Sequence, residues 1–298
     1  MNLKVRIGFG LGAAASSDAA RFLHIVDRGE ELGFDSLWMS ERISATTPDP
    51  MIALAVAAGR TTKMKIGTSV IVLPGRNPVL LAKEMATLDV LSNGRFLPGV
   101  GLGAIDPVEQ QAFGVERKQR GALHDEALKV MRLCWTGEPF SFHGQFFHYD
   151  DVCVLPKPQQ PTFDVWLGGI AESELRRVGR MGDGWMPSFC SPEDVAHGID
   201  VITAVAAQEH RSIDPEHYGV LVAYCDTELP PRIAESIQRR RPGVDPHSVI
   251  PRRNDLGQLI NEFISAGASK FIVVPLNAAF DPDAELGQLA EQLLPLET

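Results

Sequence analysis

Apolar positions recur along this chain with two alternating periods, near two residues and near 3.6 residues, which are the signatures of strands and of helices packed on one face. Val5 to Phe9 opens as a short strand. Ser17-Asp18 can cap a helix with apolar face Ala19, Phe22, Leu23 and Val26, ended by Gly33. Phe34 to Met39 reads as the second strand. Asp49-Pro50 then starts a helix, with aspartate as cap and proline in the first turn. Ile66 to Leu73 is a third strand, rich in β-branched residues. Asn77-Pro78 repeats the cap-then-proline device, and that helix stops at Asn93-Gly94. Phe96 to Val100 is the fourth strand.

The second half keeps the alternation. A helix is expected near Gly121 to Cys134, and a turn at His143-Gly144 inside Phe140 to Val154 predicts a hairpin insertion. Phe163 to Leu167 is the fifth strand, with a helix from Ser173 to Met181, and Gly184 to Ser188 is the sixth. Ser191-Pro192-Glu193-Asp194 caps the next helix, and Tyr218 to Tyr224 is the seventh strand. Glu228 to Arg253 is basic and proline-punctuated, which predicts a second excursion. A helix from Leu256 to Ala266, an eighth strand from Lys270 to Pro275 and a closing helix from Asp283 to Leu294 complete the pattern.

Eight strands alternating with helices imply a parallel sheet with crossover helices. Eight units favour closure, so the expected fold is α/β: a (β/α)8 TIM barrel with insertions after strands 4 and 7. At 298 residues, with no shift in composition, one domain over 1–298 is expected.

A net charge of −10 argues against a nucleic-acid surface, which needs a basic patch. The longest apolar stretches, such as Ile52 to Ala58, are too short to span a bilayer. No apolar signal core opens the chain, and Cys134, Cys153, Cys190 and Cys225 form no CxxC pair, so reduced thiols and a cytoplasmic location are expected.

Barrel enzymes build their sites at the C-terminal ends of the strands. Glycines crowd those ends here: Gly8, Gly10 and Gly12, then Gly99, Gly101 and Gly103, then Gly168 and Gly169. Glycine lets backbone amides approach a ligand, and amides at a helix start favour an anion. Any single glycine can simply turn the chain at a rim. Together, Gly168-Gly169 with Ser173 at the following helix form a plausible phosphate cradle. Gly99-Val100-Gly101-Leu102-Gly103 is not GxGxxG and opens no helix directly, so a dinucleotide fingerprint is rejected.

Glu41 and Arg42 are adjacent charges leaving the second strand. They could act on substrate as acid or anion clamp, or form a solvated loop pair or an ion pair closing the mouth. His124, His143 and His148 read as structural or surface residues. No HxH, HExxH or carboxylate cluster falls at the strand ends, which disfavours a metal, and Ser188 lacks the GxSxG elbow of a serine hydrolase.

Several stretches resemble the luciferase-like monooxygenase superfamily. They are Gly33 to Trp38, Ile66 to Val70, Pro74 to Pro78, Leu88 to Phe96, Gly99 to Gly101 and Gly182 to Trp185. Within it the chain is similar to actinobacterial oxidoreductases of the deazaflavin coenzyme F-420. The resemblance implies a non-proline cis peptide at Ser69-Val70 against the flavin ring. It places Gly101, Leu102 and Gly103 beside the phosphate side of the cofactor, and Gly168, Gly169, Glu172 and Ser173 on the phosphate-binding turn. Gly8, at the first strand, joins the cofactor-facing set. Arg42 stands where many members carry a catalytic histidine, and Ala104 where some deazaflavin sugar dehydrogenases carry an acid.

The leading expectation is hydride transfer between coenzyme F-420 (8-hydroxy-5-deazaflavin) and a small organic substrate. Arg42 would then clamp an anion, with Glu41 as proton-transfer group or as orienting partner of Arg42. The alternatives are a reduced-FMN monooxygenase incorporating molecular oxygen into paired donors, and a non-catalytic deazaflavin-binding protein. A homodimer is expected from the resemblance, with no nucleic-acid or membrane partner.

Overall fold

The computed structural model describes residues 3–11, 18–104, 106–226, 228–276 and 281–298. Gly12 and Ser17, named above, lie outside the described residues. The elements run β1 (Arg6–Gly10), α1 (Ala19–Leu32), β2 (Ser36–Met39), α2 (Pro50–Arg60), β3 (Lys65–Thr68), β4 (Ile71–Val72) and α3 (Pro78–Leu91). They continue with β5 (Phe96–Leu97), β6 (Gly99–Gly101), α4 (Pro107–Phe113), α5 (Arg120–Trp135), β7 (Phe140–His143), β8 (His148–Val152), β9 (Trp166–Leu167) and α6 (Glu172–Met181). The last are β10 (Gly184–Trp185), α7 (Pro192–Gln208), β11 (Gly219–Tyr224), α8 (Pro231–Arg240), α9 (Pro246–Val249), α10 (Leu256–Ser265), β12 (Lys270–Pro275) and α11 (Pro282–Leu293).

All barrel pairings are parallel. β11, β12, β1, β2, β3 and β5 form one run, and β10, β9, β6 and β4 another. The runs join because β3 and β4 are halves of one strand, as are β5 and β6. Bridges from Trp185 to Tyr218 and from Ser188 to Leu221 close the ring between β10 and β11. Ten segments therefore fill eight barrel positions. The third expected strand, Ile66 to Leu73, breaks after Thr68 at a cis Ser69-Val70 peptide, as the resemblance implied. The fourth breaks at Pro98, which has no N–H for a ladder bond.

One further expectation changes. Gly8 and Gly10 lie within β1 rather than after it, because the ladder to β2 pairs Gly8 with Ser36 and Gly10 with Trp38. The stretch Glu228 to Arg253 carries the two helices α8 and α9, and Ile237, Val249 and Ile250 from it make a small core with Cys225 and Leu229. The antiparallel hairpin β7–β8 stands between α5 and β9.

Successive side chains on a strand face opposite ways, and the two faces have separate cores. Leu37, Met39, Phe96, Leu167, Val220, Phe271 and Val273 pack outward under the helices. Trp38, Leu97, Trp166, Met186, Leu221, Ile272 and Val274 come from strands all round the ring and fill its interior. Trp38 and Trp166 meet edge to face there, 6.3 Å between centroids. Such large side chains fit only because glycine faces them. A Cβ on Gly67 would fall 2.4 Å from the Trp38 ring, and one on Gly184 2.5 Å from Trp166. At the N-terminal end Lys270 Nζ bonds Asp35 at 2.6 Å, a buried ion pair that closes the barrel floor.

Gly67→Ala is therefore expected to lower stability by roughly 1–3 kcal/mol through overpacking against a fixed indole. Urea unfolding would register this as a lower midpoint at unchanged slope. A midpoint equal to wild type would show that Trp38 can move aside.

Candidate functional site

The C-terminal mouth is shaped by the redirected third strand. Ser69 N donates to Met39 O at 2.9 Å, and the Ser40 hydroxyl donates to Ser69 O at 2.7 Å. Glu41 N donates to Val70 O at 3.1 Å. The Thr68 hydroxyl both donates to Gly99 O and accepts from Gly99 N, each at 2.8 Å. Val70 is thereby carried over the neighbouring strands. A Cβ on Gly101 would lie 2.6 Å from Val70 Cγ2, so only glycine admits this isopropyl group.

Glu41 continues the clamp with its side chain. Its Oε2 accepts the N–H of Val72 at 2.7 Å, and its Oε1 is bonded by the Arg76 guanidinium. Arg76 Nε also donates to Val72 O at 3.2 Å. Burial pushes the Glu41 carboxyl above its ordinary range, against the pull of the Val72 N–H and Arg76. No bond joins Glu41 to Arg42 among the described residues; the Glu41 oxygens hold Val72 and Arg76. Arg42 is exposed in the loop after β2, and its side chain has no partner among the described residues.

The phosphate-type turn follows β9. The pairing of Val100 with Leu167 sets Gly101 and Gly168 next in line on adjacent strands. A Cβ on Gly168 would meet only Met186 O at 3.5 Å and Val70 Cγ1 at 3.8 Å, so packing alone does not demand glycine there. Gly169 has φ +101, a backbone state that favours glycine, and the Trp185 indole N–H donates to its carbonyl at 2.8 Å. Helix α6 begins at Glu172 with Ala171 as cap, so Ser173 is its second residue rather than its first. The leading amides of a helix have no acceptor inside it.

The structure therefore groups Ser69, Val70, Gly101 and Gly168 at one place, with Gly169, Glu172 and Ser173 on the turn beside them. It does not group Gly8 with them in the same sense. A Cβ on Gly8 would sit 2.4 Å from Ser36 Oγ, so interior packing accounts for that glycine. Gly103 has φ +78, and its Cβ would meet Val72 Cγ1 at 2.8 Å. Leu102 beside it is half-buried.

Three side chains at the mouth escaped the sequence reading. Arg76 holds Glu41 from 35 positions away, which no local pattern reveals. Arg120, 7% exposed, donates to Gly103 O and to Ala104 O, the latter at 3.0 Å, and so fixes the loop after β6. Glu174 lies three residues past the α6 cap, the spacing of an acidic capping residue, and that signal was readable.

Other groups are poor reagents. Burial pushes the Cys134 thiol up to about 11 and Cys190 up to about 12. His124 is buried, which pulls its imidazole below the ordinary range and leaves it neutral near pH 7. Among the described residues no three His, Cys, Asp or Glu side chains gather as a metal site, and no helix is long and apolar enough to cross a membrane.

The luciferase-like monooxygenase family matches residues 1–229. An F420-dependent glucose-6-phosphate dehydrogenase of Kineococcus radiotolerans is 30% identical over 169 residues, covering 53% of this chain and 49% of the relative. The chain thus spans about half the length of the curated relatives it matches. Among solved structures, an F420-dependent secondary alcohol dehydrogenase bound to an F420–acetone adduct superposes with TM-score 0.79 at 21% identity, over 99% of this chain and 100% of that one. Monooxygenase RslO1 of Streptomyces bottropensis gives 0.78 at 22% identity, over 98% and 99%. These likenesses in structure establish the shared fold.

Removing the Glu41 carboxylate tests the clamp. Glu41→Ala orphans the buried Val72 N–H and should cost about 1–3 kcal/mol. Glu41→Gln keeps an acceptor for that N–H and should cost less. Denaturant titration of both variants checks the order; equal stability for wild type and Glu41→Ala would contradict it.

Proposed function

The chain belongs to the luciferase-like monooxygenase family, and on that footing we propose that it is an oxidoreductase using coenzyme F-420 for hydride transfer with a small organic substrate. The observation that carries this reading is the apolar Val70 shelf beside the Gly168–Ser173 turn, an apolar face and an amide-rich face side by side. A flavin-type group needs both, one for its ring and one for its phosphoryl tail. When bound, the deazaflavin supplies a carbon that accepts or gives hydride.

This chain's residues would divide the rest. Ser69 and Val70 support the ring, and Gly101, Leu102 and Gly103 border it. Gly168, Gly169, Glu172 and Ser173 receive the phosphoryl group through backbone amides and the Ser173 hydroxyl. Glu41 positions β4 through Val72 and moves no proton, since both of its oxygens are committed. Arg42 stays charged at working pH and serves as an anion clamp for substrate rather than as general acid or base. A reduced-FMN monooxygenase is the second reading, supported by membership of a family described as luciferase-like monooxygenases.

Titration of the purified protein with F-420 and with FMN, each in both redox states, separates the readings. F-420 binding with a fluorescence change and weaker FMN binding is expected. The reverse order would move the assignment to the monooxygenase. Arg42→Ala should lower turnover by about 2–4 kcal/mol of transition-state stabilisation while cofactor affinity holds. Cofactor binding without turnover on any substrate would favour a non-catalytic carrier.

A homodimer is supported by helices α2 and α3, which pack side by side in the outer ring. Residues Pro50 to Gly59 of α2 carry no charge, and Ile52 is 69% exposed on it. Leu80 and Leu91 stand out from α3, Leu91 at 74%. A second copy would present the same exposed apolar residues across a twofold axis, beside the exposed Lys83 and Glu84 of α3. Sedimentation should give twice the chain mass, and Ile52→Glu with Leu91→Glu should halve it. A wild-type monomer would refute this assembly.

A further inference from the structure

The turn after β9 already holds an anion, and that anion belongs to the chain itself. Glu174 Oε2 accepts the N–H of Ile170 and the N–H of Ala171, each at 3.0 Å. A Cβ on Gly169 would fall 2.4 Å from this oxygen, so glycine lets the carboxylate lie flat against the turn. Ala171 has no side-chain oxygen, so only the acidic half of a capping box is present. Arg120 stands within electrostatic reach from the β6 side: burial and Arg117 draw its pKa down while Glu174 draws it up. The amides of Glu172 and Ser173, ahead of Glu174, remain as the open donors.

Two cofactors of the reading above differ in how they would meet this carboxylate. F-420 carries its tail through a phosphodiester, with one negative charge. FMN ends in a phosphomonoester, whose charge near pH 7 is about −1.5 to −2. Repulsion from an ionised carboxylate grows with the product of the charges, so at one distance the monoester suffers nearly twice as much. Screening is weak in a partly buried site.

Resting on that cofactor reading, we propose that Glu174 is a charge filter, a specificity residue that admits a singly charged phosphodiester and disfavours a doubly charged phosphomonoester. The chain selects against FMN by keeping a carboxylate on two amides that a dianion would otherwise take. An uncharged flavin without phosphate is not discriminated.

Glu174→Gln keeps an acceptor oxygen for the turn and removes the charge; Glu174→Ala also frees both amides. Dissociation constants for FMN, riboflavin and F-420 are read by fluorescence for wild type and both variants, and inorganic phosphate is titrated separately by its shift of Tm. In Glu174→Gln, FMN should tighten about tenfold or more, with riboflavin unchanged and F-420 gaining less than FMN. Inorganic phosphate should raise the Tm of both variants more than that of wild type. Equal shifts for FMN and riboflavin, or weaker FMN binding in Glu174→Gln, overturn the filter. If no flavin binds any of the three proteins, the cofactor reading falls. The filter is then decided by inorganic phosphate alone: a larger shift in the variants supports it, and an equal shift overturns it.

Discussion

The bond from Val72 N–H to the Glu41 carboxylate is the constraint on which the mouth depends. β2 ends at Met39, and β4 has a ladder partner only on the β6 side. Without Glu41 the other edge of β4 would be an unpaired buried strand edge, costly away from water. The carboxylate replaces the missing neighbour, and Arg76 holds it in place. Val70, two residues before Val72, is thereby seated over Gly101 and beside Gly168. The apolar shelf thus follows from a carboxylate bonded to Val72 and Arg76.

Beneath the shelf the barrel interior is filled to the point that strands carry glycine where indoles press on them. Trp38 and Trp166 are each 1% exposed, and close packing of this kind leaves little room for adjustment. The result is a stiff base under loops that are free to vary, the usual division of labour in this fold. Charge at the mouth is handled in the same economical way. Arg76, Arg120 and Glu174 are each bonded to backbone, leaving Arg42 as an exposed cation after β2.

Local signals carried most of the fold. Asp49 and Asn77 cap α2 and α3 through their side chains, with proline in the first turn, and Ser191 caps α7 with Asp194 returning the bond. Alternation of periods was enough to count eight barrel positions, because parallel strands need crossover helices. What failed was non-local. Nothing near Glu41 points to Arg76, so an adjacent Arg42 was the natural partner to expect. Gly8 read as a ligand contact because the sequence does not show that Ser36 and Trp38 fill the space above it. Glu228 to Arg253, by contrast, is the excursion expected after the seventh barrel strand, and Pro231 and Pro246 each open a short helix within it. Ser173 is legible as a helix start, and Glu174, at the spacing of an acidic capping residue, carries the carboxylate that lies on that start.

A crystal structure of the protein with F-420 tests the central claim most directly. The deazaflavin ring is expected against Val70 and the phosphodiester at the Glu172 and Ser173 amides, with Glu174 still on Ile170 and Ala171. Density for the ring away from Val70, for instance in the polar cleft between His247 and Glu262 on α9 and α10, would contradict it.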